Sequence, residues 1–503
     1  MALLLANGLV LDGTGKAAVP ADVLIDGSRI QAVEPCLNVA DAERVDCTNL
    51  IVAPGFIDAH SHSDLQVLEN RLEKVNQGVT TEVVGNCGFS AFPSHVNRTL
   101  AHEFANGIFC GGDDWHWASA RDYLADVALR SSLIHVAALT GHGSLRVEHA
   151  GMRQGPLPQS DVDKMIMALQ DALAGGSIGF STGLMYAPGS SAPFAELRGL
   201  CAATARHDKI YCTHMRSYSW DLLDSFDEQV DLARASGCRL QISHLQAVGR
   251  ANWNKQEQVL EHLEGARKEG IDVEFDIYAY TAGSSVLTQL LPQSALDGGA
   301  AAMLARLTNQ ATRREIARAT EDRLAQSWDD ILISGVRTAA SQSALGCTIT
   351  DIAAQRGVEP VDAVIGLIVE EEGAVNMISF NQSESNLRVL LTHPLCTVIS
   401  DSFYVQGRPH PRLFGAFPEF LGKYCRDKQW LDLPQAVHKI TGKPAARFRI
   451  KDRGVLRSGA YADITVFDPA RIGSPAWYDN PEQSPAGIVR VIREGRTILE
   501  NRN

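Results

Sequence analysis

The chain has 503 residues, of which 45% are hydrophobic and 21% are charged, and its formal net charge is −13. That length exceeds one ordinary core and favours one large domain with one or two smaller ones. Lys and Arg form no basic stripe, so nucleic acid is not an expected partner, and no apolar run is long enough to make a membrane a partner either.

The ten cysteines are spread along the chain without paired spacing and without a Cys-x-x-Cys motif. A disulfide framework is therefore not expected. The N-terminus also lacks the basic and apolar pattern of a secretion signal. Both features favour a cytoplasmic location.

Both ends of the chain show short strand-like segments separated by turns. Asp12-Gly13 and Asp26-Gly27 are turn dipeptides in the first fifty residues, and Asp468-Pro469 interrupts a similar pattern in the last fifty. Because two β-rich ends flank a different middle, we predict that residues 1–52 and 451–503 meet in one small β-sandwich.

The middle, residues 53–450, alternates between apolar runs and stretches of helical periodicity. Near-continuous apolar runs are typical of parallel strands that are buried on both faces. Eight such units predict an α/β fold of the (β/α)8 TIM-barrel type. The runs are residues 51–58, 79–85, 133–139, 177–181, 210–214, 239–244, 271–277 and 395–400.

The gap between the seventh and eighth runs is too long for one crossover. Residues 292–389 hold several helix-like stretches before the eighth run begins. We predict a helical insertion beside the mouth of the barrel.

Metal-binding residue types follow five of the eight runs. In barrel enzymes the chemistry collects at the carboxyl ends of the strands. Positions i and i+2 of a strand point the same way, so two imidazoles in His-x-His can face one ion. Any one of these residues alone would be unremarkable, but their joint occurrence predicts a metal centre. The residues are His60, His62, Cys87, His214, His244 and Asp401.

Imidazole, thiolate and carboxylate together are ligands for zinc-class ions. Such an ion lowers the pKa of water and polarises a carbonyl group. A carboxylate must then move the proton, and Asp401 is the best-placed candidate. The remaining histidines with strand-end or helix positions are predicted to be structural, namely His135, His142, His393 and His438. Trp115-His116-Trp117 is predicted to be packing or a rim.

Several segments of this chain resemble the amidohydrolase superfamily, and in particular its D-aminoacylase branch. The resemblance spans nearly the whole chain. Asn86-Cys87-Gly88 is its most specific element, because most relatives use a carboxylated lysine as the bridge between metals. The other segments are residues 52–62, 78–81, 179–189, 213–216, 243–244 and 407–412.

The resemblance implies a role for each matching residue. Cys87, His214 and His244 are expected to be the tight zinc ligands. His60 and His62 are expected to form a weaker or second site that Cys87 can bridge. Asp401 is expected to be the general acid and base beside the metal. Substrate contacts are expected from Tyr186, Tyr278 and Ser284, and we also predict them from Arg216, Gln246 and Gln382. The insertion is expected to act as a lid.

The sequence departs from the family at three positions. Gln246 stands where the family usually has a Lys for the substrate carboxylate, Gln382 stands in place of an apolar Met, and Ser402 in place of Gly. A neutral amide cannot supply the missing charge. The hydrolytic centre therefore looks intact while substrate recognition looks altered. The residues that could replace the charge are Arg216, Arg250, Lys255 and Arg412.

These observations leave three hypotheses for the function. The first is zinc-dependent hydrolysis of a small N-acyl-D-amino acid, with one tight ion and a second, weaker one. The second keeps the chemistry but changes the substrate to a cyclic amide, an N-carbamoyl compound or a dipeptide with a D-residue. The third is a catalytically silent binding protein, which the six retained residues disfavour. The sequence leaves the oligomeric state and the acyl group open.

Overall fold

The computed structural model describes residues 2–110 and 115–501. Within these ranges lie nineteen strands: β1 (Ala2–Val10), β2 (Val19–Asp26), β3 (Arg29–Glu34), β4 (Ala42–Asp46), β5 (Ile51–Pro54), β6 (Phe56–Asp58), β7 (Val79–Val84), β8 (His135–Gly141), β9 (Gly179–Gly183), β10 (Ile210–His214), β11 (Arg239–Ile242), β12 (Val273–Tyr278), β13 (Gly283–Val286), β14 (Ile331–Gly335), β15 (Asn376–Ser379), β16 (Cys396–Ile399), β17 (Ile464–Phe467), β18 (Ile488–Arg493) and β19 (Arg496–Glu500).

The same described ranges contain sixteen α-helices, besides short 3-10 turns and a π-helical stretch at Phe420–Asp427. The helices are α1 (Arg98–Ala105), α2 (Ala120–Arg130), α3 (His142–Ala150), α4 (Gln159–Ala174), α5 (Phe194–Arg206), α6 (Leu222–Ser236), α7 (Lys255–Lys268), α8 (Gln293–Leu296), α9 (Gly299–Thr308), α10 (Gln310–Arg323), α11 (Ile349–Arg356), α12 (Pro360–Glu370), α13 (Glu384–Thr392), α14 (Arg412–Glu419), α15 (Leu433–Lys439) and α16 (Gly442–Arg447).

Eight parallel strands form the central barrel, in the order β6-β7-β8-β9-β10-β11-β12-β16. A parallel bridge between Ser61 and Ser402 joins the last strand to the first, and the His62 amide donates to the Ser402 carbonyl at 3.0 Å. Each of the eight predicted runs overlaps one barrel strand. The predicted TIM barrel is therefore confirmed, and the carboxyl ends of its strands share one mouth.

Buried charges hold the seam where the barrel closes. Lys74 Nζ donates to Asp58 Oδ2 at 2.5 Å and to Ser400 Oγ at 2.7 Å, and lies 3.6 Å from Glu82 Oε2. Asp58 lies on β6, Glu82 on β7, and Ser400 directly follows β16. One ammonium group thus connects the first, second and last strands of the barrel, just below His60 and Asp401.

The two ends of the chain build a second eight-stranded sheet, as predicted. Its order is β19-β18-β17-β5-β1-β2-β3, with β4 paired in parallel to β1. A bridge between Arg29 and Tyr461 brings β3 back towards the segment before β17, so the sheet curls around its own core. That core includes Leu5, Val23 and Ile464. The limits predicted for the domains remain predictions.

The first predicted run, residues 51–58, divides between the two sheets at Gly55. Ile51–Pro54 is β5 of the terminal sheet, and Phe56–Asp58 is β6 of the barrel. A Cβ atom at Gly55 would lie 2.2 Å from Thr80 Oγ1, so only glycine allows the chain to pass between the sheets here. The sequence does not show where the run divides between the two sheets, because both halves are buried and equally apolar.

The insertion between β12 and β16 has its own core, which includes Leu287, Ile333 and Val364. It contains the predicted helices, and also an antiparallel sheet in the order β13-β15-β14. These strands have four or five residues each, too few to show a clear alternation. Within the described part of the chain, no helix combines the length and apolar character needed to cross a membrane.

Candidate metal centre and active site

The six predicted metal-binding side chains converge at the mouth of the barrel. Their donor atoms form three overlapping groups: His60, His62 and Cys87; Cys87, His214 and His244; and His60, His244 and Asp401. Within each group the donor atoms lie within 4.8 Å of one another. Cys87 Sγ lies between two imidazoles, 3.3 Å from His60 Nε2 and 3.6 Å from His244 Nε2. Cys87 belongs to two of the groups, which is the position a bridging ligand needs.

Asp401 lies between the histidines and a buried arginine. Its Oδ1 atom is 3.3 Å from His60 Nε2 and 3.4 Å from His62 Nε2, and its Oδ2 atom is 3.0 Å from Arg412 Nη1. Burial alone raises the pKa of Asp401, but the Arg412 guanidinium and then His60 outweigh burial and hold that pKa well below its usual range. The carboxylate form is therefore the stable one at this position.

Three of the six residues adopt left-handed backbone conformations. The φ angles are +52° at Cys87, +35° at His244 and +49° at Asp401. Non-glycine residues pay about 1–3 kcal/mol for such conformations, which persist where the surrounding structure imposes them and concentrate at functional sites. Each residue follows a barrel strand, and the sharp turn directs its side chain over the mouth.

Asp276 on β12 supports two of the histidines from below. Its Oδ1 atom accepts a hydrogen bond from the His244 amide at 2.7 Å and lies 3.4 Å from His60 Nδ1. Carboxylates in this position orient metal-binding imidazoles and raise their basicity. The sequence analysis missed Asp276. Its position two residues before Tyr278, on the same strand face, was the available signal.

The donor atoms fit a zinc-class ion. Both ring nitrogens of His214 are buried, and neither has a hydrogen-bond partner among the described residues. Burial lowers the pKa of His244 to about 4 and that of His214 well below its usual value, so both rings are neutral and able to bind a metal. Nitrogen, thiolate and carboxylate donors in one cluster match the preferences of zinc.

A cavity of about 630 Å³ opens above this cluster. Five of the six residues predicted to contact the substrate line it: Tyr186, Arg216, Gln246, Tyr278 and Ser284. The sixth, Gln382, is not part of the cavity lining but contacts the lining residue Tyr278.

Two hydrogen bonds fix the orientation of Gln246. The Tyr278 hydroxyl donates to Gln246 Oε1 at 3.0 Å, and Gln382 Nε2 donates to the same hydroxyl at 3.3 Å. The Arg412 guanidinium carbon lies 4.5 Å from the centre of the Tyr278 ring. Gln382 therefore acts on the cavity through Tyr278, and the amide nitrogen of Gln246 remains the group with donors to offer a ligand.

The four cations considered for the substrate carboxylate differ in their surroundings. Arg216 lines the cavity but binds Glu228 at 2.8 Å and two backbone carbonyls. Lys255 donates to the carbonyls of Ser219 and Trp220.

Arg250 is exposed and lies over the Trp253 ring. Arg412 is buried beside Asp401. Arg216 and Lys255 are thus already engaged by groups of the protein, whereas the Nε and Nη2 atoms of Arg412 have no hydrogen-bond partner among the described residues.

The histidines predicted to be structural lie outside the three donor groups. His142 Nε2 is 2.8 Å from Glu196 Oε1, and His438 Nδ1 is 2.7 Å from the Gly13 carbonyl. His393 lies 3.6 Å from Glu264, and burial lowers the pKa of His135 to about 3. Trp115 packs against a neighbouring histidine ring and Trp117 donates to Asp126, which is consistent with a packing role.

A closed barrel with this donor set at its mouth defines a metal-dependent hydrolase, and the chain belongs to the amidohydrolase family, whose model matches residues 43–499. It is 35% identical to the N-acyl-D-glutamate deacylase of Alcaligenes xylosoxydans xylosoxydans, over 99% of this chain and 93% of the relative. It is 31% identical to the D-aminoacylase of the same organism, over 99% of this chain and 94% of the relative.

Solved structures of deacylases in this family resemble the chain over nearly its whole length. The N-acyl-D-glutamate deacylase of Bordetella bronchiseptica, complexed with zinc and a phosphonate mimic of the tetrahedral intermediate, superposes with a TM-score of 0.86 at 31% identity, covering 99% of this chain and 96% of that one. A D-aminoacylase crystal structure gives a TM-score of 0.84 at 31% identity, with coverage of 99% and 96%. The resemblance to the D-aminoacylase branch is confirmed.

Proposed function

We propose that this protein is a zinc-dependent deacylase that hydrolyses the amide bond of N-acyl-D-amino acids to a carboxylate and a D-amino acid. The cluster of six donor side chains around Cys87, at the floor of a small-molecule cavity, is the observation that carries the proposal. The relatives named as D-amino-acid deacylases support the choice of substrate.

The donor groups suggest which residues hold the metal. Cys87, His214 and His244 would bind one zinc ion tightly, and His60, His62 and Asp401 would contribute to a second, weaker site with Cys87 as the bridge. Zinc in such a site acts as a Lewis acid towards a carbonyl and lowers the pKa of water.

Asp401 moves the proton in this proposal. Its ion pair with Arg412 keeps it as a carboxylate, the form that accepts a proton from the attacking water. As the C–N bond breaks, Asp401 returns that proton to the departing nitrogen. The products are one carboxylic acid and one amine, and Asp401 is again ionised; the acid then gives its remaining proton to the amine, which leaves as an ammonium group beside a carboxylate.

A second candidate substrate class keeps the same chemistry. Gln246 is neutral, and two of the candidate cations, Arg216 and Lys255, are already engaged by groups of the protein. An N-carbamoyl compound or a dipeptide with a D-residue keeps the carboxylate of an N-acyl amino acid and differs from it on the acyl side. A cyclic amide has a neutral group in place of that carboxylate. The amide of Gln246 would donate hydrogen bonds to that group.

Paired enantiomers distinguish the candidates. The purified enzyme, supplied with zinc, should release amino acids from N-acetyl-D-amino acids and not from their L-enantiomers. Absence of D-selective release from the whole panel would contradict the main proposal. Hydrolysis of hydantoins, N-carbamoyl-D-amino acids or D-dipeptides alone would favour the second class.

The role of Gln246 has its own test. Gln246→Lys should lower KM for substrates with a free carboxylate. Gln326→Lys is a matched control, because Gln326 lines the same cavity but hydrogen-bonds to Ser379 instead of Tyr278. Equal effects of the two variants would show that cavity charge, and not the position of Gln246, controls carboxylate binding.

We also propose a cytoplasmic location. All ten cysteines are unpaired, which suits a reducing compartment.

A further inference from the structure

A second, smaller cavity adjoins the active-site cavity. Its volume is about 120 Å³. Four residues line both cavities and form the wall between them: Ile108, Met185, Tyr186 and Gln289. The smaller cavity therefore lies directly beside the site where the amide bond would be cleaved, separated from it by one layer of side chains.

The smaller cavity is lined largely by apolar side chains. Phe89 and Phe104, stacked with ring centres 4.4 Å apart, form one side, and Met303 and Leu296 of the insertion form another. Two carboxylates also line it: Glu372, with a side chain that is 69% exposed, and Glu103, whose Oε1 atom accepts a hydrogen bond from the Ala300 amide at 2.5 Å. An apolar recess that opens to water beside a carboxylate suits a short hydrocarbon chain and not an anion.

The active-site cavity itself has one apolar and one polar side. Cys87 packs in a cluster with Phe89, Ile108 and Val286, so the apolar side begins at the metal-binding thiol. The polar side includes Gln246, whose Oε1 atom accepts a hydrogen bond from the Tyr278 hydroxyl. A substrate with its scissile carbonyl at Cys87 and its amino-acid end at Gln246 directs its acyl group towards the apolar side.

We propose that the smaller cavity binds the acyl chain, so that the preferred substrates carry a linear aliphatic acyl group longer than acetyl. This inference rests on the proposed deacylase function and extends it to the acyl class. Met185 suits the wall between the cavities, because an unbranched thioether side chain adapts its shape to a ligand. Its sulfur accepts a hydrogen bond from Gln289 Nε2 at 3.5 Å.

The cavity volume sets the chain length. An apolar cavity of about 150 Å³ accommodates the six carbons of benzene, so 120 Å³ accommodates roughly five carbons. Burial of each methylene should raise kcat/KM about four-fold. With one D-amino acid held constant, kcat/KM should rise from acetyl to about hexanoyl and then level off.

Ala300→Phe tests the assignment, with Ala301→Phe as its control. Both residues lie on α9, but Ala300 is half-buried in the wall of the smaller cavity, whereas Ala301 is exposed. A phenyl group at position 300 fills the cavity without replacing a core side chain. Ala300→Phe should retain acetyl hydrolysis and lose at least ten-fold on hexanoyl substrates, and Ala301→Phe should keep the wild-type profile.

Three outcomes would overturn the inference: a flat or falling chain-length profile in the wild type, matching profiles of Ala300→Phe and Ala301→Phe, or a change in side-chain preference with acyl preference unaltered. Calorimetric binding of acetate, butanoate and hexanoate to the zinc-loaded enzyme gives a test without turnover. Hexanoate should bind at least ten-fold more tightly than acetate, and equal affinities would reject the acyl site. Failure of the deacylase proposal would look different, because no N-acyl-D-amino acid of any chain length would then be hydrolysed.

Discussion

Lys74→Met removes the cation that connects three strands at the barrel seam. The Lys74 side chain is 2% exposed, and those of its partners Asp58 and Glu82 are 0% and 2% exposed. Methionine keeps most of the apolar stem but leaves two carboxyl groups buried without a cation. Breaking a buried ion pair by removing one partner costs about 3–5 kcal/mol, and we expect the free energy of unfolding to fall by about that amount.

Urea unfolding at a fixed zinc concentration measures this change, because bound metal shifts apparent stability. Lys164→Met is the control. Lys164 also binds a carboxylate, Asp161, at 2.9 Å, but its side chain is 59% exposed, so a far smaller effect is expected. Adding Asp58→Asn to Lys74→Met should recover part of the loss, since one unpaired charge disappears. If Lys74→Met proves no more destabilising than Lys164→Met, the seam does not depend on this charge cluster.

Three further predictions concern the metal centre and pH. Cys87→Ala should lose bound zinc and activity. Cys396→Ala, which removes a buried thiol inside a barrel strand, should keep both. Metal analysis of the purified variants measures the difference, and full zinc content in Cys87→Ala would contradict the ligand assignment. Asp276→Asn should weaken zinc affinity about 10- to 100-fold, as measured by chelator competition, because the variant orients His244 and His60 less well than the carboxylate does. Unchanged affinity would mean that Asp276 does not orient them. Burial, together with Arg453 and Arg493, lowers the pKa of His135 to about 3. Below about pH 6.5 the unfolded chain therefore takes up a proton that the folded chain does not, and stability falls. Between pH 7.5 and pH 5 the free energy of unfolding of the wild type should fall by about 1–2 kcal/mol more than that of His135→Gln, and parallel pH profiles would refute this.

Local patterns in the sequence were sufficient to predict the barrel and the convergence of the candidate metal-binding side chains. Apolar runs that alternate with stretches of helical periodicity predict buried parallel strands, independently of the length of the loops between them. Each of the eight runs overlaps a barrel strand. His60 and His62 share a face because strand geometry has a period of two residues. The metal donors lie at strand ends, and all carboxyl ends of parallel barrel strands meet at one mouth. Their convergence therefore needed no knowledge of distant contacts.

Contacts between residues that are far apart in the chain could not be predicted from local sequence patterns. Lys74 meets Ser400 across 326 positions, and no spacing rule connects the two. The division of one apolar run at Gly55 depends on Thr80 of a neighbouring strand.

The sequence by itself indicated the architecture and the candidate ligand types, because periodicity and residue chemistry are local properties, and its motifs carried the resemblance to the family. Only the tertiary structure decided that Asp276 supports His60 and His244, that Gln382 acts through Tyr278, and that a second cavity adjoins the first. These depend on which side chains packing brings together from separate segments, and packing is a property of the whole fold.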